Sequence, residues 1–144
     1  MSNLDDPSRG PALRVLIQRK PALRRYYEGI YSRYAACLSR CPVEGIALEI
    51  GSGAGFVKDV LPAIMTSDTI PYEGIDRVVD ARSLPFPDAS LRAILMTNVF
   101  HHVPDVRAFL LEAVRCLRPS GRLLVVDQYR GWISTPILRH FHHE

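Results

Sequence analysis

The chain has 144 residues, 47% of them apolar, and a formal net charge of +3, which predicts a single domain with a real core. It contains no apolar run that approaches the roughly 20 residues of a membrane span. The first charged side chains of the N-terminus are acidic, which is unlike a secretory signal. The three cysteines lack the Cys-x-x-Cys spacing of zinc or redox sites, so we expect reduced thiols, no metal site and a cytoplasmic location.

The N-terminal part of the chain is basic. Residues 1–45 carry eight Lys and Arg against four Asp and Glu, whereas the remainder carries ten against eleven. A basic arm can attract nucleic acid, but no aromatic and basic binding motif accompanies it. We therefore interpret the arm as a solvated surface and do not expect nucleic acid to bind.

Residues 1–44 are predicted to form a disordered arm followed by a cap helix. Asp-Asp-Pro-Ser and Gly-Pro predict disorder over residues 1–12. A helix is predicted to begin at Pro21 and to end by Cys41 and Pro42. Its apolar residues repeat every three or four positions and are Leu23, Tyr26, Tyr27, Ile30, Tyr31, Tyr34 and Leu38.

Residues 45–60, GIALEIGSGAGFVKDV, predict a buried strand over 46–50, a glycine turn and the start of a helix. The helical segment is expected to turn Phe56, Val57 and Val60 inward. Glycines let the backbone approach a ligand closely, and the first helical N–H groups point at it with partial positive charge. Phe56 stands where a dinucleotide fingerprint needs its last glycine or alanine, which disfavours a nicotinamide-dependent dehydrogenase.

The rest of the chain alternates strands with helices or loops. A second strand over 63–68 ends in Asp68, and a third over 76–80 ends in Asp80, with a connector of only seven residues, 69–75, between them. A fourth strand is predicted over 91–97 and a fifth over 123–127. Between them a helix is predicted over 105–117, with Asp105 as its N-cap and one apolar stripe that consists of Val106, Phe109, Leu110, Ala113, Val114 and Leu117. This alternation predicts a parallel α/β sheet with right-handed crossovers.

The phrases LEIGSGAG, VVDARSLPFPDAS, MTNVFHHVPD and LRPSGRLLVVD occur in that order between Leu48 and Tyr129. In order and spacing they resemble the class I S-adenosylmethionine-dependent methyltransferases of type 11. The resemblance implies a Rossmann-like, doubly wound and mostly parallel sheet of about five strands with helices on both faces, preceded by an N-terminal helix. Members of this family continue with further helices and two more strands, so residues 45–144 resemble a cofactor-binding domain truncated after its fifth strand.

The resemblance also implies roles for individual residues in binding S-adenosylmethionine. Asp68 would accept the ribose hydroxyl hydrogens, with Asp76 as the rival candidate, and Asn98 would lie near the sulfonium and the transferred methyl. One tyrosine of the N-terminal helix could border the cofactor. The residues implied for the methionine end are Glu49, Gly51, Ser52, Gly53 and Gly55, and those implied for the adenine are Asp80 and the Ala81 backbone.

His101 and His102 follow the fourth strand, where a general base could reach an acceptor. We favour His102 as the base, while the alternative is that one ring merely caps the loop. Residues 140–144, His-x-His-His-Glu in the order HFHHE, contain ligand types but are interpreted as a tail and not as a metal site.

The leading hypothesis is an enzyme that transfers a methyl group from S-adenosylmethionine to a small-molecule acceptor. The alternative is a non-catalytic or truncated cofactor-binding protein that needs a partner, or a homodimer through the exposed edge of the fifth strand, to complete its fold. A third hypothesis is a nucleic-acid or protein modifier guided by the basic arm. The short connector at 69–75 predicts a thin wall on the adenine side.

Overall fold

The computed structural model describes residues 6–127, and they form one all-parallel sheet of five strands in the order β3-β2-β1-β4-β5. The strands are β1 (Ile46–Ile50), β2 (Ile64–Asp68), β3 (Arg77–Val78), β4 (Leu91–Thr97) and β5 (Leu117–Val126). The helices are α1 (Gly10–Arg19), α2 (Pro21–Ser39), α3 (Val57–Val60) and α4 (Val106–Cys116). The predicted α/β class, the five strands and the N-terminal helix are confirmed.

Apolar clusters cover both faces of the sheet because successive side chains of a strand point to opposite faces. On one face Leu48 packs with Phe109 and Cys116 of α4. On the other face Ala47 packs with Tyr31 and Tyr34 of α2 and with Val57 of α3. The doubly wound arrangement predicted from the sequence is therefore present.

Strand β5 begins earlier than predicted. Leu117 pairs with Leu91, and the next paired residues are Arg122 and Ala93, so the chain bulges over 118–121 before regular pairing resumes. Ser120 in this bulge has a φ of 67°. The predicted helix stop before the bulge is correct, since α4 ends at Cys116.

The prediction of disorder over residues 1–12 is wrong from residue 7 onward. Asp6 accepts a hydrogen bond from the backbone N–H of Ser8, at 2.9 Å, and caps a short 3₁₀ turn that leads directly into α1. The prolines that suggested a break lie in first turns, where their missing N–H costs nothing. Arg14 and Gln18 of α1 then contact Asp59 of α3.

Two local predictions also differ from the structure. Val60 is 47% exposed and does not face inward, because α3 is a single turn and does not continue along the sheet. The third strand is reduced to Arg77 and Val78, and the connector before it is a loop without a helix, as its length of seven residues predicted.

None of the helices within residues 6–127 combines the length and the apolar character needed to cross a bilayer. The histidine-containing segment at 140–144 lies outside the described residues, as does the rest of the chain after Asp127.

Candidate functional site

The glycine turn, residues 51–55, follows β1 at the carboxyl edge of the sheet, where open α/β folds place their ligands. Gly51 and Gly53 have φ values of 70° and 50°, in the left-handed region that favours glycine. A Cβ on Gly51 would collide with Cγ2 of Val99, which follows β4. This close approach of the turn to the chain after β4 explains why the first glycine is required.

An acid-lined cavity of about 430 Å³ lies on one side of the glycine turn. It brings together Asp68, Asp80, Ala81 and His102, which the sequence had singled out, with Gly51 and Gly53 of the turn. Tyr72 and Val103 complete the lining with apolar surface. The cavity therefore combines carboxylates with an apolar surface on which a flat ring could pack.

Asp68 ends β2 and is only 9% exposed. Its Oδ2 accepts a hydrogen bond from the backbone N–H of Gly53 at 2.8 Å, and its Oδ1 accepts one from Ile70 at 3.1 Å. The Thr69 hydroxyl donates a longer hydrogen bond to Oδ1, at 3.5 Å. Oδ2 has only the one bond, so Asp68 retains capacity for a ligand there.

Asp76, the rival of Asp68, is engaged elsewhere. Its Oδ1 lies 2.6 Å from Nζ of Lys58, and its Oδ2 accepts hydrogen bonds from the backbone N–H and the hydroxyl of Thr66. It does not line the acid-lined cavity. The sequence left both aspartates open as ribose ligands, and only the contacts in the folded chain separate them.

Asp80 is held by Arg82. The guanidinium donates to both carboxylate oxygens, with Nη2 2.7 Å from Oδ2, and the Arg82 backbone N–H donates to Oδ1 at 2.8 Å. These hydrogen bonds lower the pKa of Asp80 to about 2. The side chain is ionised at neutral pH and fixed at the mouth of the cavity, beside the buried Ala81.

A second, tyrosine-lined cavity of about 210 Å³ lies on the other side of the turn, between the turn and α2. It contains Glu49, Ser52 and Asn98, with Tyr27 and Tyr31 of α2 opposite them. The two cavities share Gly51, Gly53 and Val99. A ligand that extends across the glycine turn could therefore occupy both.

Glu49 is the buried charge-bearing group of the tyrosine-lined cavity. It is 5% exposed, and its Oε2 has no hydrogen-bond partner. Burial raises the pKa of Glu49 to about 7, while hydrogen bonds from the Ser52 and Tyr34 side chains act in the opposite direction. A buried carboxyl oxygen without a partner is costly, and a cationic ligand group in this cavity would relieve that cost.

Two tyrosines of α2, Tyr27 and Tyr31, border the tyrosine-lined cavity. The hydroxyl of Tyr31 accepts from the Phe56 backbone N–H at 3.1 Å, and that of Tyr34 lies 2.8 Å from the Thr97 hydroxyl. Tyr27 lines the cavity with its ring 5.9 Å from that of Phe56. The helical periodicity placed these side chains on one face, but it could not show which of them border the cavity.

Asn98 follows β4 with a φ of 54°, and its backbone N–H donates to the carbonyl of Val126 at 2.9 Å. Its side-chain Nδ2 donates to the hydroxyl of Tyr26 at 3.2 Å. This bond joins the chain after β4 to α2 beside the tyrosine-lined cavity.

The two histidines have different surroundings. Nδ1 of His101 lies 2.6 Å from Oδ1 of Asp127, and its backbone N–H donates to Oδ2 at 3.1 Å. His102 lines the acid-lined cavity, with its ring 4.0 Å from that of His101. The contact between His101 and Asp127 was not predicted, although both follow strands that end at the same edge.

A third cavity of about 350 Å³ lies behind the glycine turn, between the turn and α1, and is lined by Arg14, Gln18 and Lys58 among others. Within residues 6–127, no group of three or more His, Cys, Asp or Glu side chains is placed to hold a metal ion.

The family model described as "Methyltransferase domain" matches residues 48–125 of the chain. The chain is 31% identical to the uncharacterized methyltransferase YcgJ of Bacillus subtilis over 72% of its own length and 47% of YcgJ. It is 32% identical to a fatty-acid O-methyltransferase of Mycolicibacterium smegmatis over 81% of its length and 48% of that protein. The chain thus spans about half the length of these curated relatives.

Solved structures of methyltransferases share the fold of this chain. The crystal structure of YcgJ matches with a TM-score of 0.59 at 28% identity, over 71% of this chain and 51% of YcgJ. A SAM-dependent methyltransferase of Aquifex aeolicus matches with a TM-score of 0.56 at 18% identity, over 93% of this chain and 86% of that protein.

Proposed function

Because the chain belongs to the methyltransferase domain family, whose model covers residues 48–125, we propose that it binds S-adenosylmethionine and transfers the methyl group to a small-molecule acceptor. The observation that carries the proposal is the pair of cavities joined across the glycine turn, with an unpartnered buried carboxyl oxygen in one and two carboxylates in the other. This arrangement suits an elongated ligand with a cationic end and a hydroxyl-bearing end.

The residues present fit the two ends of S-adenosylmethionine. Glu49 with the glycine turn, including Ser52 and Gly55, would hold the methionine end, and the ammonium would supply the partner that Oε2 lacks. Asp68 would accept from the ribose hydroxyls, and Asp80 with Ala81 would bind the adenine edge. Asp76 is not proposed for the ribose, because Lys58 and Thr66 already engage it.

When bound, S-adenosylmethionine supplies a methyl carbon activated by a sulfonium leaving group. The chain would contribute positioning and the exclusion of water. Tyr27 and Tyr31 would enclose the reacting end from the side of α2, and Asn98, fixed by its bond to Tyr26, would border it from the side of β4.

His102 is the proposed general base for an acceptor that must lose a proton. It lines the acid-lined cavity and not the tyrosine-lined one, so the role requires the acceptor to approach over the rim shared by the two. A His102→Ala variant with lower kcat and unchanged cofactor affinity would support this role. Weaker cofactor binding with unchanged kcat would make His102 a wall of the cofactor cavity.

The alternative is a cofactor-binding protein that does not catalyse transfer by itself. One observation favours it: β5 lies at an edge of the described sheet. A partner or a second copy of the chain at that edge would then complete the fold and the acceptor site.

The first experiment is calorimetric titration of the full chain with S-adenosylmethionine and with S-adenosylhomocysteine. We expect micromolar binding that weakens at least about tenfold in Asp80→Ala. The matched control is Asp88→Ala, an acid with 79% side-chain exposure outside both cavities, which should bind as the wild type does. No binding by a folded wild-type chain would refute the proposal.

Transfer itself is tested with the methyl-labelled cofactor and a panel of small acceptors. Fatty acids come first, because the relative from Mycolicibacterium smegmatis is a fatty-acid O-methyltransferase. Cofactor binding without transfer to any acceptor, alone or with a partner, would favour the non-catalytic alternative.

A further inference from the structure

Residues 84–87, Leu-Pro-Phe-Pro, follow the part of the chain proposed to bind the adenine, and we call them the proline segment. The two prolines lack an N–H, so the segment cannot pair as a strand inside the sheet. Leu84 and Phe86 are buried in the same core cluster as Phe109 and Cys116 of α4. The backbone carbonyls of these two residues therefore need hydrogen-bond partners from elsewhere in the fold.

Two side chains of α4 supply these partners. The guanidinium of Arg115 donates from Nη2 to the Leu84 carbonyl at 2.9 Å and from Nη1 to the Phe86 carbonyl at 2.8 Å. The carboxylate of Glu112 accepts a hydrogen bond from the Leu84 backbone N–H at 2.8 Å. Charged groups thus hold the proline segment at both ends of the Leu84 peptide unit and at Phe86, and such bonds are stronger than bonds between neutral groups.

Glu112 and Arg115 also hold each other, and we call the pair the α4 clamp. Nε and Nη2 of Arg115 lie 2.8 and 2.7 Å from the two carboxylate oxygens of Glu112. The hydrogen bonds from Arg115 lower the pKa of Glu112 to about 2, so both groups are charged at neutral pH. This pairing fixes the planar guanidinium, and its remaining N–H groups are then directed at the two carbonyls.

The α4 clamp is connected to the acid-lined cavity through a closed turn. The Ser83 backbone N–H donates to the Asp80 carbonyl at 3.0 Å, which closes a turn over residues 80–83, and Leu84 follows directly. The strand on the other side of the turn, β3, is only two residues long and gives it little support. The position of Leu84 therefore sets the position of the turn that carries Asp80 and Ala81.

We propose that Glu112 and Arg115 are positioning residues for recognition of the adenine base, and that they act through the turn at 80–83. The proposal rests on the proposed function, in which Asp80 and the Ala81 backbone bind the edge of the adenine. Neither Glu112 nor Arg115 lines the acid-lined cavity, so they act by placing other groups. Hydrogen bonds weaken steeply when their geometry departs from the optimum, and a shift of the turn would therefore weaken the contacts with the base edge.

The competing explanation is that apolar packing alone places the proline segment. Leu84 and Phe86 are buried, and in that case the α4 clamp contributes only to the stability of the fold. Its loss would then lower the free energy of unfolding without a change in the choice of base. The two explanations differ in base specificity, which a purely stabilising contact does not alter.

The test compares the affinity of the full chain for S-adenosylhomocysteine and for S-inosylhomocysteine by calorimetry. In the second ligand a carbonyl replaces the amino group of the base and the neighbouring ring nitrogen carries a hydrogen, so the donor and acceptor pattern of the base edge is inverted. We expect the wild type to prefer S-adenosylhomocysteine at least about tenfold, because the wrong edge leaves polar groups unpaired. Arg115→Met should lower this preference at least about threefold, mainly through weaker binding of S-adenosylhomocysteine.

Three further variants separate positioning from charge. Arg107→Met removes a guanidinium from an exposed position of the same helix and should leave the preference unchanged. Asp88→Ala removes the exposed partner of Arg115 but none of the bonds to the proline segment, so it should bind both ligands as the wild type does. Arg115→Lys keeps the charge but lacks the fork that reaches both carbonyls and the carboxylate, and it should lose preference as Arg115→Met does.

Circular dichroism sets a temperature at which the variants are folded, and Arg115→Lys with Glu112→Gln supplies the comparison if Arg115→Met does not fold. Equal weakening of both ligands would overturn the proposal and leave the α4 clamp a stabilising contact. Unchanged affinities in the clamp variants would also overturn it, as would a wild type that binds both ligands equally. No binding of either ligand by the folded wild type would instead refute the proposed function, and this inference with it.

Discussion

Among the single residues, Glu49 is the one whose charge depends most on its surroundings. Its carboxyl is buried between the glycine turn and α2, with the hydroxyl of Tyr34 as a neighbour and Asp68 raising its pKa further. Because none of the described residues that line the tyrosine-lined cavity is cationic, the protonation of Glu49 will respond to any cation that binds there.

The variant Glu49→Gln tests the raised pKa of Glu49 through the free energy of unfolding. Burial raises the pKa of Glu49 from 4.5 to about 7, so the folded chain keeps a proton that the unfolded chain releases above pH 4.5. The free energy of unfolding of the wild type should therefore fall as the pH rises from 4.5 to about 7, by up to ~3 kcal/mol. Glu49→Gln should lack this fall. The free energy of unfolding of the variant minus that of the wild type should therefore increase with pH.

The measurement is urea unfolding of both proteins at intervals from pH 4.5 to 8. Other titrating groups contribute equally to both and cancel in the difference. Parallel stability curves over this range would show that folding does not raise the pKa of Glu49.

Part of the site could be predicted residue by residue. The glycine turn could be predicted because three alternate glycines stand between a buried strand and a helical segment. Asp105 could be predicted as an N-cap, and its Oδ1 accepts from the Ala108 backbone N–H at 2.9 Å. The contacts of Asp76 could not be predicted, because its bonds to Lys58 and Thr66 join positions 18 and 10 residues apart.

Helix α4 shows how an element can differ from its pattern. The sequence predicted one apolar stripe that included Val106, Leu110 and Val114, but the structure buries only Phe109, Ala113 and Cys116 of this helix. A single helix lying on a sheet contacts it along a narrow line, so the flanks of a wide stripe remain exposed. Val114 is 76% exposed as a result.

Two alanine variants in α4 should therefore differ widely. Phe109 is fully buried, and Phe109→Ala should lower the free energy of unfolding by about 3–5 kcal/mol through lost burial and a cavity. Val114→Ala should change it by less than about 0.5 kcal/mol. Urea unfolding at one pH measures both, and a Val114→Ala loss comparable to that of Phe109→Ala would mean that this flank is covered in solution.

Helix α1 could not be predicted, because tertiary contacts and not a local sequence signal stabilise it. Ten residues with two basic groups and flanking prolines have no strong local signal. Its position depends on the contacts of Arg14 and Gln18 with Asp59, and on the packing of Gly10 against the Tyr72 ring. In this place α1 covers the side of the glycine turn where the short connector supplies no helix.

At the level of the whole molecule, the parallel, doubly wound sheet could be predicted from the alternation of strands and helices and the family resemblance. Its strand order, β3-β2-β1-β4-β5, was not predicted, since alternation alone leaves several orders open. The division of the site into two cavities could not be predicted from the sequence. Glu49 and Asp68 end neighbouring strands but contribute to different cavities, because the glycine turn passes between them.

A ligand held by both cavities should stabilise the folded chain as a unit. At about 100 times its Kd, S-adenosylhomocysteine should raise the free energy of unfolding by about 2.7 kcal/mol, because it binds the folded state and not the unfolded one. Thermal unfolding followed by circular dichroism measures the increase in Tm. Asp80→Ala, with its affinity weakened about tenfold or more, should gain at most about 1.4 kcal/mol at the same ligand concentration, and an equal increase in that variant would place the binding site elsewhere.

The placement of α1 has a consequence for how the molecule opens. This helix is too short to be stable alone. Its ion pair with Asp59 is exposed and of the kind that contributes little, and the helix packs against the core cluster on the α2 face of the sheet through Ile17 alone among its described residues. It should therefore detach at a lower free energy than the sheet unfolds. Each detachment would uncover the rear of the glycine turn while the strands stay paired, so amide hydrogen exchange should be fast in α1 and slow in β1 and β4.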